Sequence, residues 1–395
     1  MIEVAYGTER VLCHMSNELT LRGHQVTVVC DAVKQGLPVY PLMKEVDFVN
    51  LNGSGRKKHY PQIKKVVREL TKPLRKTVLA PLFPDPVEQQ WMQKFTPSFR
   101  PVVCNAKPDV IISYSALDHC RVVQAIGHDR PLIMMHHFDT VALLKHDCRT
   151  LASLQHCDCL QLLLPSFEKG VQEALPHAKT TVIPNIVVPV SDDETASPGK
   201  SKDEYVITML ARLDKKQKQQ HFLIRAFSHL AKDYPQWKVH FYGGEFTLQY
   251  ENYLKTLIRE LDLTNQVFLM GTTDKPLHVL RESDIFAFPT AYEGFGLALA
   301  EAMAVGLPCV GLKTTSAVNE LIVDGYNGFL SDNDEFDFAQ KLKRLMDDPQ
   351  LRVTLGQNGR EFVKQFAPKP IWDRWEELIT TVIRQYWADR ECRAA

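Results

Sequence analysis

The sequence predicts an α/β fold built on parallel sheets, with enough chain for two domains. Three observations carry this. Short runs that read as strands, among them His24–Cys30, Asp109–Ser113, Pro131–Met135, Tyr205–Leu210 and Val239–Glu245 with its closing glycine turn, recur along the chain with helical patterns between them. The stretch Asp284–Leu312, DIFAFPTAYEGFGLALAEAMAVGLPCVGL, is a complete strand–loop–helix–strand unit. Finally, 395 residues with 45% hydrophobic and 24% charged content suit a globular chain with two full cores.

Charge and cysteines narrow the class. Lysine plus arginine balances aspartate plus glutamate at 47 each, so no bulk field draws the chain to nucleic acid, and no nucleic-acid partner is expected. The nine cysteines are scattered and odd in number, which gives no disulfide framework and points to a reducing, cytoplasmic setting. His156-Cys157-Asp158-Cys159 has no second pair at finger spacing and reads as core cysteines, not a metal site. No apolar run approaches membrane-spanning length, and no signal-peptide pattern is visible.

The central unit carries the chemistry. Ile285–Phe288, closed by Pro289, reads as a buried strand. The loop Thr290–Gly296 follows, then an alanine- and leucine-rich helix from about Leu297 to Val305, stopped by Gly306 and Pro308. Pro308–Leu312 is the next strand. Gly294 and Gly296 allow close backbone approach, and the first amides of the new helix have no partners inside it. The turn Gly294-Phe295-Gly296-Leu297 is thus suited to a diphosphate. Glu293 before the helix and Glu301 within it can each accept hydrogen bonds from sugar hydroxyls. Two sugar rings on either side of a diphosphate is the layout of a nucleotide-sugar.

The pattern Glu293-x7-Glu301, within EGFGLALAEAMAVGLPCVG, resembles the E-x7-E signature of retaining GT-B glycosyltransferases of the family-4 type, the glycosyl transferases group 1. The resemblance implies two Rossmann-like, doubly wound domains facing a cleft, with a C-terminal helix crossing back to the first. It implies that Glu293 contacts the donor sugar and Glu301 the nucleotide ribose. The plainer reading makes both glutamates solvated helix charges, but it leaves the two glycines and the strand context without a reason.

Taken in order, the chain departs from the family at its start. Tyr6-Gly7-Thr8-Glu9-Arg10-Val11 resembles the glycine-rich loop and helix start, which implies ligand contact by Gly7 and Thr8. Only Met1–Ala5 precede it, where a full central strand belongs. The expectation is that the recorded start lies downstream of the true one; the plainer alternative is a short strand over Ile2–Ala5. Arg56–Lys76 carries nine basic residues against Glu69 alone, and Ile63, Val66, Val67 and Leu70 fall at helical spacing. That reads as a basic amphipathic helix able to meet an anionic membrane or a phosphorylated acceptor, against the blander reading of a solvated helix on its own domain. Pro81–Pro101, with Trp91 and several prolines, reads as an irregular insertion.

Histidines follow the strand Pro131–Met135. The resemblance places a histidine there facing the donor sugar, which assigns the role to His136, with His137 as the second choice. Val190–Asp203 is polar and turn-rich and reads as a linker; Asp192-Asp193 within it has no strand to position it as a metal site. The expected organisation is a first, acceptor-binding domain over 1–189, the linker 190–203, a nucleotide-sugar-binding domain over 204–369, and a helix over 370–395 that packs back on the first domain.

In the second domain, Arg212 and Lys218 resemble the pair that grips the donor diphosphate, and their charges would stabilise a leaving nucleotide. The spacing is one residue longer than expected, so Lys215, Lys216 and Lys218 are not separable here. Gly243 ends a strand at the ligand-facing sheet edge, and Gly271 ends the strand that borders the nucleobase in the family. Asn319–Ile322 and Asn327–Leu330 match the family's continuation.

The function this implies is transfer of a hexose from a nucleotide-sugar to a hydroxyl of a saccharide or lipid-linked acceptor, with retention and without an obligatory metal or other cofactor. The setting would be cell-surface polysaccharide or lipopolysaccharide synthesis at the inner face of the cytoplasmic membrane. UDP is favoured over GDP or ADP by family frequency alone. Two rivals are a nucleotide-sugar epimerase, which would act without an acceptor, and a non-catalytic sugar-binding protein, which would bind donor without turnover.

Overall fold

A computed structural model describes residues 7–31, 38, 40–51, 62–74, 82, 85–137, 148–244 and 247–394. The chain forms two α/β units: 1–183 with 372–395, and 184–371.

In the first unit every described strand pairing is parallel. β1 (Thr27–Cys30) pairs with β2 (Asp47–Asn50). A second sheet runs in the order β3 (Ile111–Ser113), β4 (Leu132–His136), β5 (Cys159–Leu162), β6 (Thr180–Val182). Helix α1 (Gly7–Leu21) buries Cys13, Met15 and Leu19. No strand among the described residues joins β1 to β3. Met1–Ala5, where a first strand was expected, lie outside the described residues.

Helix α2 (Gln62–Thr71) is where the basic amphipathic pattern falls. The expected irregular insertion is instead a 21-residue helix, α3 (Pro86–Ala106), which retains Pro97 and Pro101 in its interior. Proline is a helix breaker because it removes a donor and crowds the preceding turn. Here strong local contacts outweigh that cost. The Asp85 carboxylate caps the amides of Val87 and Glu88, and Pro86 sits at the first turn, where its missing N–H is harmless. Trp91, Phe95 and Phe99, spaced four apart, stack at 4.4 and 4.8 Å and bury against Val122, Ala125 and Leu132. Val122 and Ala125 lie on α4 (Ala116–Ile126).

The second unit is a six-stranded parallel sheet in the order β12–β11–β10–β7–β8–β9. These are β7 (Tyr205–Leu210), β8 (Trp237–Tyr242), β9 (Val267–Gly271), β10 (Ile285–Phe288), β11 (Cys309–Leu312) and β12 (Gly328–Ser331). In chain order this is 6-5-4-1-2-3, a doubly wound sheet whose direction of growth reverses between β7 and β10. β10 and β11 are buried at every position, as strands covered on both faces must be, which explains their continuous apolar sequence.

The polar stretch 190–203 lies against this second unit. The Ala196 amide donates to Val305, Arg360 pairs with Asp192 at 2.6 Å, and buried Arg352 donates to the carbonyls of Pro198 and Leu345. At the other end, the helix Pro368–Ala394 carries the chain back into the first unit. There Arg22 pairs with Asp373 at 2.7 Å and Glu376 at 3.0 Å, and the Tyr386 hydroxyl donates to the carbonyl of His128. Among the described residues no helix is long and apolar enough to cross a membrane.

Candidate nucleotide-sugar site

The site in the second unit is assembled from the carboxyl ends of β7, β8, β9 and β10. Open parallel sheets bind ligands at that edge, beside the point where strand order reverses. Three strand ends are stitched together by backbone. Ala211 N–H donates to Tyr242 at 2.8 Å, Leu213 N–H to Gly244 at 2.9 Å, and Gly243 N–H to Gly271 at 2.7 Å. Gly243 is required for this approach, because a Cβ there would stand 2.1 Å from the Ala211 carbonyl oxygen.

The loop after β7 holds the cations. Asp214 accepts the amides of Lys216 and Gln217, each at 2.9 Å, which curls the chain into a tight turn. Burial pushes the Asp214 carboxyl up, but the Gln217 amide and the Arg212 guanidinium outweigh it and hold the group below its ordinary range. Arg212 reaches Asp214 at 3.1 Å and also donates to the Gln217 side-chain oxygen. Gln219, in the left-handed region at φ +54°, then launches the helix Gln220–Ser228.

The structure separates the three lysines. Lys218 forms an ion pair with Glu293 across the site, with both side chains close to fully buried. Lys215 lies instead over the Tyr253 ring, and Lys216 is exposed. Lys218 and Glu293 are therefore brought together, and Arg212 is joined to the Glu293 loop through Gln217.

After β10 the chain turns into the helix Leu297–Ala304. Gly296 occupies its N-cap at φ +84°, a backbone that an L side chain rarely adopts, and no side chain caps the helix. Its leading amides are thus presented at the same strand ends as Arg212 and Lys218. Gly294 is buried in this turn. The Phe295 side chain is 2% exposed and packs edge-on against Phe366, so it contributes backbone alone to any ligand. Glu301, the fifth residue of the helix, is half-buried.

Gln217 was not singled out by the sequence. Its side chain accepts from Arg212 and donates to the Tyr292 carbonyl at 3.1 Å, while its own carbonyl accepts the Ala291 amide at 2.8 Å. It ties the cationic loop to the acidic one. A glutamine among lysines gives no pattern that would mark this role.

In the first unit, Gly7 and Thr8 open α1. His136 is the last residue of β4, buried, in register with Leu162. His137 follows it and stacks on Tyr114 at 5.5 Å. Burial, and secondarily His136 beside it, push the His137 imidazole down to about 3, so it is neutral; its Nε2 has no hydrogen-bond partner among the described residues.

Residues 190–362, which contain all of the second-unit site, match the glycosyl transferases group 1 family. Over that segment the chain is similar to this family. It is 25% identical over 391 residues to an uncharacterised glycosyltransferase of Haemophilus influenzae, covering 95% of this chain and 96% of that one. It is 29% identical over 188 residues to the capsular polysaccharide biosynthesis glycosyltransferase CapM of Staphylococcus aureus, covering 46% of this chain and 48% of CapM. The fold is similar to that of sucrose-phosphate synthase from Thermosynechococcus elongatus, with a TM-score of 0.75 at 20% identity, over 98% and 94% of the two chains. It is also similar to Anabaena HepE in complex with UDP and glucose, with a TM-score of 0.68 at 17% identity, over 96% and 97%. These are GT-B structures, and the chain has that two-domain α/β fold.

Proposed function

We propose that this protein transfers a hexose from a nucleotide-sugar, UDP-linked, to a hydroxyl of a saccharide or lipid-linked acceptor. The observation that carries the reading is the meeting of Lys218 with Glu293, joined to Arg212 through Gln217, beside the glycine-capped helix Leu297–Ala304. A diphosphate placed there would meet two cations and a row of unpaired amides, which together stabilise the charge that develops as the nucleotide departs. The positive charge needed is supplied by side chains, so the reading is of a metal-independent transferase. Glu293 would release Lys218 toward the diphosphate and turn its carboxylate to the sugar hydroxyls; Glu301 would hold the ribose.

Retention at the anomeric carbon belongs to the same proposal. The acceptor hydroxyl would attack on the face the nucleotide leaves, and the departing phosphate would take its proton. Support for UDP is the HepE likeness, a structure holding UDP and glucose. Support for a cell-surface product is the likeness to CapM, a capsular polysaccharide glycosyltransferase. His137 is the stronger of the two histidine candidates in the first unit, since it is neutral and its Nε2 is uncommitted among described residues.

The test is a transfer assay with UDP-hexoses and a panel of polysaccharide acceptors, read by NMR for the anomeric configuration. An α-linked product from an α-linked donor supports the proposal. A changed nucleotide-sugar in the absence of acceptor would replace it with epimerisation.

A further inference from the structure

We propose that Glu293 and Lys218 together let the donor site tell a nucleotide-sugar from the nucleoside diphosphate left after transfer. This rests on the donor reading and adds a discrimination to it. Arg212 and Lys218 are held by carboxylates in unequal ways. Arg212 reaches Asp214 at 3.1 Å, and Asp214 also accepts the amides of Lys216 and Gln217, each at 2.9 Å. Asp214 therefore stays hydrogen-bonded when Arg212 turns to a phosphate. Glu293 has no such reserve. Lys218 is the only hydrogen-bond donor to its carboxylate among the described residues. The pair is close to fully buried, with the Phe288 ring 5.4 Å from the ammonium.

What a ligand supplies then decides how it binds. A nucleoside diphosphate that draws Lys218 to its phosphates leaves Glu293 as a carboxylate nearly out of water with no donor, and that state is costly. A nucleotide-sugar draws off the same lysine but brings hydroxyls that donate to Glu293 in its place. The sugar completes an exchange of partners that the bare nucleotide leaves half done. A site whose buried polar group is satisfied by a substrate hydroxyl rejects the analogue lacking it, and here that analogue is the reaction's own product. Once the hexose has left, Glu293 is again without a donor. It recaptures Lys218, and the nucleoside diphosphate departs.

The test is isothermal titration of UDP and of UDP-glucose into the full chain and three variants. Glu293→Gln keeps the shape of the side chain, removes its charge and frees Lys218. UDP is expected to bind this variant on the order of tenfold more tightly than the wild type, while the gain from the attached glucose shrinks. The UDP result holds whichever hexose is the natural one. Lys218→Met removes a cation and bares a carboxylate beside the diphosphate, so both ligands should weaken. It should keep the preference for UDP-glucose, because Glu293 still needs the sugar hydroxyls. The double variant Lys218→Met/Glu293→Gln leaves neither charge unpaired and should show no preference. It carries the test if Glu293→Gln alone melts below the assay temperature. UDP affinity unchanged or lowered in folded Glu293→Gln, or a glucose preference that survives in the double variant, overturns the proposal and leaves the donor reading standing. No binding of either ligand by the wild type overturns the donor reading and this proposal with it.

Discussion

The Lys218 ammonium and the Glu293 carboxylate are ion-paired across the site, 12% and 9% exposed at the side chain. Each leaves the other as an almost buried charge if removed alone. Lys218→Met or Glu293→Gln is therefore expected to destabilise the fold by roughly 1–3 kcal/mol, and the double variant to recover most of that loss. Transfer should stay depressed by on the order of 10²–10³ in all three, since recovering stability does not restore the charge proposed to hold the diphosphate. Chemical denaturation and the transfer assay check the two halves separately.

Gln217 is expected to act through Arg212. Gln217→Ala removes one side-chain acceptor of the guanidinium and the donor to the Tyr292 carbonyl. The expected outcome is a rise in donor KM and a fall in kcat/KM of about tenfold, with a change in melting temperature much smaller than that of the Lys218 variant. Gln217→Glu keeps the bond to Arg212 and should preserve more donor affinity than Gln217→Ala. Equal kinetics for both variants would show that the bond does not position Arg212.

Gly243→Ala tests the close approach of the strand ends. The added Cβ would meet the Ala211 carbonyl oxygen at 2.1 Å, so the β7 and β8 loops must separate. A loss of about 2–4 kcal/mol in stability is expected, with donor binding lost at temperatures where the variant remains folded.

Much of this was readable from the chain. β10 and β11 are buried on both faces, and such strands write themselves as unbroken apolar runs bounded by proline and glycine. Gly296 at the helix start is forced by its positive φ, which is why a glycine in that turn carries information. What failed to show were effects of tertiary contact. Pro97 and Pro101 look like breaks until Trp91, Phe95 and Phe99 are seen stacking along α3. Lys215, Lys216 and Lys218 are alike in sequence, and only the position of Glu293 after β10 distinguishes Lys218. Gln217 has the same problem, since its partners are brought to it by two separate strand ends.

Acid sensitivity should come from buried histidines. Burial pushes His137 down to about 3 and His119 to about 4 from 6.5. Both are lowered, so the unfolded chain binds protons first as pH falls, and the unfolded state gains. Stability is expected to be flat above about pH 6.5 and to decline from there toward about pH 4. His137→Phe, which can keep the stack on Tyr114, should flatten part of that slope in a melting-temperature titration.

The most direct measurement is isothermal titration of UDP and a UDP-hexose into the full chain, beside Glu301→Ala and Lys218→Met. Binding of UDP by the wild type, weakened at least about tenfold in both variants while each still melts cooperatively, is the expected result. Equal UDP affinity in all three proteins, or no affinity for any UDP, GDP or ADP compound in a folded wild type, would contradict the assignment of this site.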